Sequence, residues 1–141
     1  MMTMNHDFMD YWLSIDSIQN KVKKDLENIL QTEYSLSLKE FYVLYHLSKT
    51  PDKKLRLQQL QEMLGLSQSA LSRLVGNMEA KSCGVLEKQM CTDDRRGTYT
   101  HLTEFGEQKL QKSLVSFREI LKSHVSDVDV EGIVKQLLEK L

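Results

Sequence analysis

Between Ser67 and Thr103 the chain sets out residue types suited to gripping a polyanion rather than to making or breaking bonds. Gln68, Ser69, Ser72 and Arg73 follow directly on Ser67, and at about 100° per residue they share one helix face with Gly76. Short polar groups with one arginine can lie close to base edges. An ordinary solvated face more often carries Glu and Lys at i, i+4, because water rewards long charged chains there. A second group is the polar run Cys91-Thr92-Asp93-Asp94-Arg95-Arg96-Gly97. Paired arginines on a protruding loop suit phosphate contact or insertion into a narrow minor groove. Asp94, two residues before Arg96, can orient that guanidinium or simply neutralise the tip.

The surrounding residues supply the elements that would hold these groups. Ser67 is a good N-cap, and Ala70, Leu71, Leu74, Val75 and Met78 keep the three-and-four spacing of an inward stripe. Upstream, Leu57, Leu60, Met63 and Leu64 mark another helix, closed by Gly65, which can take the left-handed cap before Leu66-Ser67 turns into the reading helix. Downstream, Val85 to Met90 and Thr98 to Leu102 read as the strands of a hairpin that carries the arginine tip. Helix, tight turn, helix and hairpin are the order of a helix-turn-helix with a wing.

The rest of the chain is helical. From Asp7 to about Thr32, Phe8, Tyr11, Trp12, Ile15, Ile18, Val22, Leu26, Ile29 and Leu30 keep one helical period. So long a helix cannot easily bury its whole stripe within one subunit, and its aromatic N-terminal end is expected to pack between subunits. Ser37-Leu38-Lys39-Glu40 is a capping box that opens a helix carrying Phe41, Leu44, Tyr45 and Leu47, which ends before Thr50-Pro51-Asp52. Leu55 to Leu57 reads as a brief strand. Thr103 caps a helix bearing Leu110, Leu114, Phe117 and Leu121, with Gly106 in its first turn implying either close packing or tolerance. From about Asp129 a last helix places Ile133, Val134, Leu137, Leu138 and Leu141 on one side, so this end is expected to pack on the first helix and a partner subunit. The fold class expected is mainly α with a small β-hairpin wing (α+β): a winged helix-turn-helix that dimerises through its N- and C-terminal helices. Residues 1–34 and 104–141 form the helical dimerisation region and 35–103 the DNA-binding lobe of a single domain spanning 1–141.

Bulk properties narrow the classes. A chain of 141 residues holds one domain with a core, so sensing and binding must share a scaffold. The formal net charge is −1, but residues 49–100 hold nine Lys/Arg against six acids, a net of +3, leaving −4 for the flanks. A basic middle between acidic flanks fits a localised phosphate-binding surface rather than an indiscriminate coater of nucleic acid. No apolar run approaches the roughly 18 residues of a membrane span, and the first ten residues lack the character of a signal peptide, so a cytoplasmic protein with no membrane partner is expected. His6, His46, His101 and His124 have no i, i+3 or i, i+4 pairing, so no metal and no cofactor are expected. There is no Gly-rich phosphate loop, nucleophile elbow or His-Glu metalloprotease pair, which argues against an enzyme.

The run Gly65-Leu66-Ser67-Gln68-Ser69-Ala70-Leu71-Ser72-Arg73-Leu74-Val75, then Asp94-Arg95-Arg96, His101 and Leu102-Thr103-Glu104-Phe105-Gly106, resembles the MarR family of winged-helix transcriptional regulators over essentially the whole chain. The resemblance implies major-groove contacts from Gln68, Ser69, Ser72 and Arg73, a wing contact from Arg96 and a backbone contact from Arg95. Arg56 stands where such proteins usually carry a small hydroxyl residue, and is expected to add a phosphate contact at the expense of local capping. A homodimer on a pseudo-palindromic operator follows, with double-stranded DNA as the partner and release of a repressor by a small ligand as the expected control. Tyr11, Trp12, Tyr42, Tyr45 and His46 are candidates for lining a pocket for a small aromatic or lipophilic effector, although aromatics at helical spacing are commonly just core. Two alternatives stand beside this: a thiol-responsive regulator using Cys83 and Cys91, near the wing arginines, and a winged helix used only for protein contacts.

Overall fold

The computed structural model describes residues 7–81, 84–90 and 98–141. α1 (Asp7–Tyr34) follows the first apolar stripe for 28 residues and buries Val22, Leu26 and Leu30. It runs two residues past the expected end, because termination waits for Ser35, which takes a left-handed φ of 54°. The Leu36 amide then reaches back to the Leu30 carbonyl at 3.0 Å, and Leu36 is fully buried against the turn it closes. α2 (Leu38–Ser48) starts on the expected capping box: the Ser37 hydroxyl accepts the Glu40 amide at 3.1 Å, and Glu40 accepts the Ser37 amide at 2.7 Å.

The remaining elements are β1 (Lys54–Arg56), α3 (Leu57–Leu64), α4 (Gln68–Lys81), β2 (Leu86–Met90), β3 (Thr98–Leu102), α5 (Glu104–Val125) and α6 (Val130–Lys140). The brief strand lies one residue earlier than expected, and Leu57 opens α3 instead of ending β1. β1 adds to the wing as a third antiparallel strand, in the order β1-β3-β2. Leu55 sits opposite Thr100, and both are buried. The outward face therefore carries the cross-strand rows Arg56, Tyr99, Gln89 and Lys54, His101, Glu87.

The core joins α1, α2, α4 and the sheet through Leu26, Leu30, Leu44, Leu47, Leu71, Val75, Met78, Leu86 and Leu102, with Leu110 from α5. Phe41 and Phe117 stack across α2 and α5 at 5.1 Å. Some residues expected on the inward stripes are outside, Tyr45 and Leu121 at 38% and 40% exposure among them. Ala70 is exposed, displaced by one 100° step from Leu71, and Met63 is 52% exposed on the outer edge of the two-turn α3.

Gly106 meets close packing rather than tolerance. A Cβ there would lie 2.2 Å from the Val85 carbonyl oxygen and 2.8 Å from Leu102 Cδ1. Thr103 ties the same corner together: its hydroxyl accepts the Gly106 amide at 3.0 Å and donates to the Gly84 carbonyl, while its amide donates to Val85 at 3.1 Å. The start of β2 is thus pinned to the first turn of α5. α5 packs along α1, where the Tyr34 hydroxyl lies 2.7 Å from Ser116 Oγ and His124 meets Asp25 at 2.6 Å. α6 packs on α1 as the stripes predict but buries no residue, and Leu138 and Leu141 are 65% and 81% exposed.

Candidate nucleic-acid interface

α3 and α4 meet at a tight turn made by Gly65, Leu66 and Ser67. Gly65 takes φ 66°, a conformation cheap only for glycine, and its amide closes α3 on the Gln61 carbonyl at 2.9 Å. Ser67 then accepts the Ala70 amide at 3.1 Å, which fixes where α4 begins. With Leu71, Val75 and Met78 buried, Gln68, Ser69, Ser72 and Arg73 are all exposed. Gln68 and Ser72 border a groove of about 250 Å³ with Gln58 and Gln61 of α3. Arg73 makes no hydrogen bond or ion pair with any described residue, so its guanidinium is available to a ligand. Asp94, Arg95 and Arg96, and the two cysteines Cys83 and Cys91, lie outside the described residues.

Arg56 ends β1 at the N-cap of α3. A guanidinium cannot accept the helix's free amides, so the expected capping loss is real, although Gln59 Oε1 accepts the Arg56 amide at 2.9 Å. The Arg56 side chain turns instead to the wing, where Nε donates to the Tyr99 hydroxyl at 3.2 Å and the guanidinium lies 5.3 Å from the ring centroid. Lys54 Nζ approaches the same ring at 4.9 Å. Sequence reasoning missed Lys54 and Tyr99 as functional candidates. The signal present was the alternation Lys54-Leu55-Arg56, which puts both cations on one strand face once Leu55 is turned inward. Two other lysines of the lobe meet carboxylates: Lys53 with Glu107, and Lys88 with Glu79 at 3.9 Å.

A cavity of about 370 Å³ opens between α1, α2, α5 and α6. Its walls are mainly aliphatic, among them Ile18, Val22, Leu26, Leu121 and Ile133, closed by Phe117 and Tyr42. Of the five aromatic and histidine candidates, Tyr42 lines it and the other four do not. Tyr45 stands one helical step outside buried Leu44, packed edge-on to His46 at 5.9 Å, and Trp12 is 53% exposed. Burial, with the Glu27 carboxylate as a second cause, holds the Tyr42 phenol above its usual pKa. Among the described residues no group of three His, Cys, Asp or Glu is arranged to hold a metal ion, and no helix is long and apolar enough to cross a membrane.

A tight-turned helix pair flanked by a three-stranded antiparallel sheet defines the class: a winged helix-turn-helix protein. Comparison with known proteins shows what the chain is similar to. A model described as MarR family matches residues 34–97. The HTH-type transcriptional regulator TcaR of Staphylococcus aureus is 27% identical over 135 residues, which cover 94% of this chain and 85% of that one. The crystal structure of AbsC, a MarR family transcriptional regulator from Streptomyces coelicolor, has the same fold at a TM-score of 0.81 and 22% identity, with 100% of this chain and 93% of that one covered. That of Sco3205 from the same organism, a MarR family regulator in complex with DNA, matches at 0.80 and 21% identity, over 99% and 86%. BldR from Sulfolobus solfataricus matches at 0.77 and 24% identity, over 99% and 97%. Residues 34–97 therefore resemble the MarR family, and the whole chain has the fold of MarR family transcriptional regulators.

Proposed function

We propose that this protein is a homodimeric, sequence-specific double-stranded DNA-binding regulator, acting as a repressor that a small apolar ligand releases. The observation that carries the reading is the outward face of α4, where Gln68, Ser69, Ser72 and Arg73 are exposed together and Arg73 has no described partner. A face serving only protein contacts would carry apolar anchors there. In this reading Gln68, Ser69, Ser72 and Arg73 address base edges, Arg96, oriented by Asp94, addresses the minor groove, and Arg95 and Arg56 address phosphates. A MarR family regulator of closely similar fold has been crystallised with DNA, which supports the same use of the fold here.

The dimer is supported by the unpartnered apolar side chains of both terminal helices: Met9, Trp12 and Leu13 on α1, Val134 and Leu138 on α6, and Leu141 beyond it. Residues 1–34 and 104–141 then form the dimerisation region and 35–103 the DNA-binding lobe. The effector site is the aliphatic cavity bordered by Tyr42, which spans helices of both regions and suits a small aromatic or lipophilic molecule. Selection of randomised duplex by the purified protein, followed by anisotropy titration over a salt series, tests the proposal. An enriched inverted repeat bound far more tightly than scrambled duplex, with a steep salt slope, is the expected result. A folded dimer that enriches nothing and binds no duplex refutes it and leaves the protein-contact module.

A further inference from the structure

The outward face of the wing sheet carries an arrangement that a solvated surface has no reason to build. Lys54 and Arg56 flank the single residue Leu55 on β1, so both stand on the face opposite that buried leucine, where like charges repel. They are nevertheless gathered on one ring. Tyr99 receives the Arg56 guanidinium at 5.3 Å and the Lys54 ammonium at 4.9 Å from its centroid, and its hydroxyl accepts Arg56 Nε at 3.2 Å. Each contact restrains a long side chain that would otherwise lose rotamer freedom on binding, so part of the ordering entropy is already spent. The same face carries one acid among its described rows, Glu87, across His101 from Lys54.

The location matters as much as the charge. Arg56 leads directly into α3, and two residues later Gln58 lines the groove it shares with Gln68 and Ser72 of the reading helix. Tyr99 is the second residue of β3, beside the connection that bears Arg95 and Arg96. The cations therefore lie where the wing sheet joins the helix pair that carries the reading helix. We propose that Lys54 and Arg56, gathered on Tyr99, form a phosphate clamp that grips the DNA backbone between these two elements, with Tyr99 as the positioning residue. The clamp rests on the DNA-binding reading above and adds affinity without reading sequence, since phosphates are the same at every step.

The test uses the full-length protein with two duplexes of equal length, one recovered by selection and one scrambled, titrated by anisotropy over a salt series. Lys54→Ala and Arg56→Ala each remove one phosphate contact per subunit, so the slope of log K against log salt flattens by about 0.9 per subunit, or about 1.8 for the dimer. Both duplexes weaken by the same factor, roughly tenfold, and the preference between them is kept. Arg73→Ala, in contrast, lowers the preference. Tyr99→Phe keeps the ring and the sheet but removes the acceptor for Arg56, so it weakens binding less than Arg56→Ala and adds nothing when combined with it.

An unchanged salt slope in Lys54→Ala and Arg56→Ala, with wild-type protein binding both duplexes, overturns the clamp and leaves the DNA-binding reading intact. Full additivity of Tyr99→Phe and Arg56→Ala overturns the positioning role. Wild-type protein that binds neither duplex at any salt overturns both readings together.

Discussion

Gly106→Ala puts the anchoring of the wing to a quantitative test. In an open helix the change should stabilise by up to about 1 kcal/mol, since alanine loses less backbone freedom than glycine. Here the new methyl would stand 2.2 Å from a backbone carbonyl, that of Val85, and 2.8 Å from Leu102 Cδ1. Leu102 can adjust its rotamer, but the Val85 oxygen belongs to a fully buried residue and already accepts the Thr103 amide at 3.1 Å. The start of β2 must then move away from α5 by most of an ångström. Overpacking of this kind costs about 1–3 kcal/mol, and weakening the Thr103 bond adds about 1 kcal/mol. Against the helix gain, the net loss is about 1–3 kcal/mol. Urea unfolding at a fixed protomer concentration should show a lower midpoint with an unchanged m-value. Gly76→Ala is the control, because a Cβ there meets nothing within 4 Å, and it should stabilise by about 0.5–1 kcal/mol. A Gly106→Ala protein as stable as wild type would refute the argument that this glycine is held by the approach of Val85.

Four further outcomes are expected. Arg73→Ala should weaken operator binding and relax preference at one position in each half-site, whereas Arg96→Ala should weaken it with less change in major-groove specificity; loss from Arg73→Ala that is equal on every sequence would contradict base reading. Ser35→Gly should raise the urea midpoint by the equivalent of about 1 kcal/mol, because the left-handed φ of 54° that ends α1 strains serine and not glycine; a destabilised variant would disprove that strain. The Tyr42 phenol has its pKa raised above 10.0, first by burial and then by Glu27, so its contribution to stability is complete below about pH 10 and is lost as pH rises through the folded value; Tyr42→Phe should flatten the alkaline fall in urea midpoint, and parallel curves would refute it. Leu138→Asp should shift the protein from dimer to monomer in sedimentation, since Leu138 is 65% exposed on a helix that buries nothing, and an unaltered dimer would move the interface elsewhere.

Local rules carried most of the fold. The capping box at Ser37, the glycine stop at Gly65 and the caps at Ser67, Thr103 and Asp129 depend on residues within one turn of one another, and each begins or ends an element where the residue types require it. Errors arose where burial rather than residue type decides. Ser35, with no glycine to mark the stop, ends α1 because burial of Leu36 compensates a strained φ. Periodicity also put Ala70 and Met63 one step too far inward, because a stripe gives the centre of a buried face and not its edges.

The same distinction separates the legible from the hidden in the candidate interface. The face of α4 follows from a 100° step and needs no partner, so Gln68, Ser69, Ser72 and Arg73 could be grouped from sequence. The Lys54, Arg56 and Tyr99 cluster requires the register of β1 against β3, forty-three residues apart at Arg56 and Tyr99. A slip of β1 by one residue in that register would turn Leu55 outward and Lys54 and Arg56 to the core, away from Tyr99. What fixes it is the apolar side of the sheet, where Leu55 must meet the buried face beside Thr100. The position of the cations is therefore set by the burial of a leucine between them, so Leu55→Ala, which leaves both charges in the chain, should weaken DNA binding through their displacement as well as costing about 2–5 kcal/mol of stability. Binding by a still-folded Leu55→Ala protein that keeps the wild-type salt slope would show that Lys54 and Arg56 do not depend on the sheet for their placement.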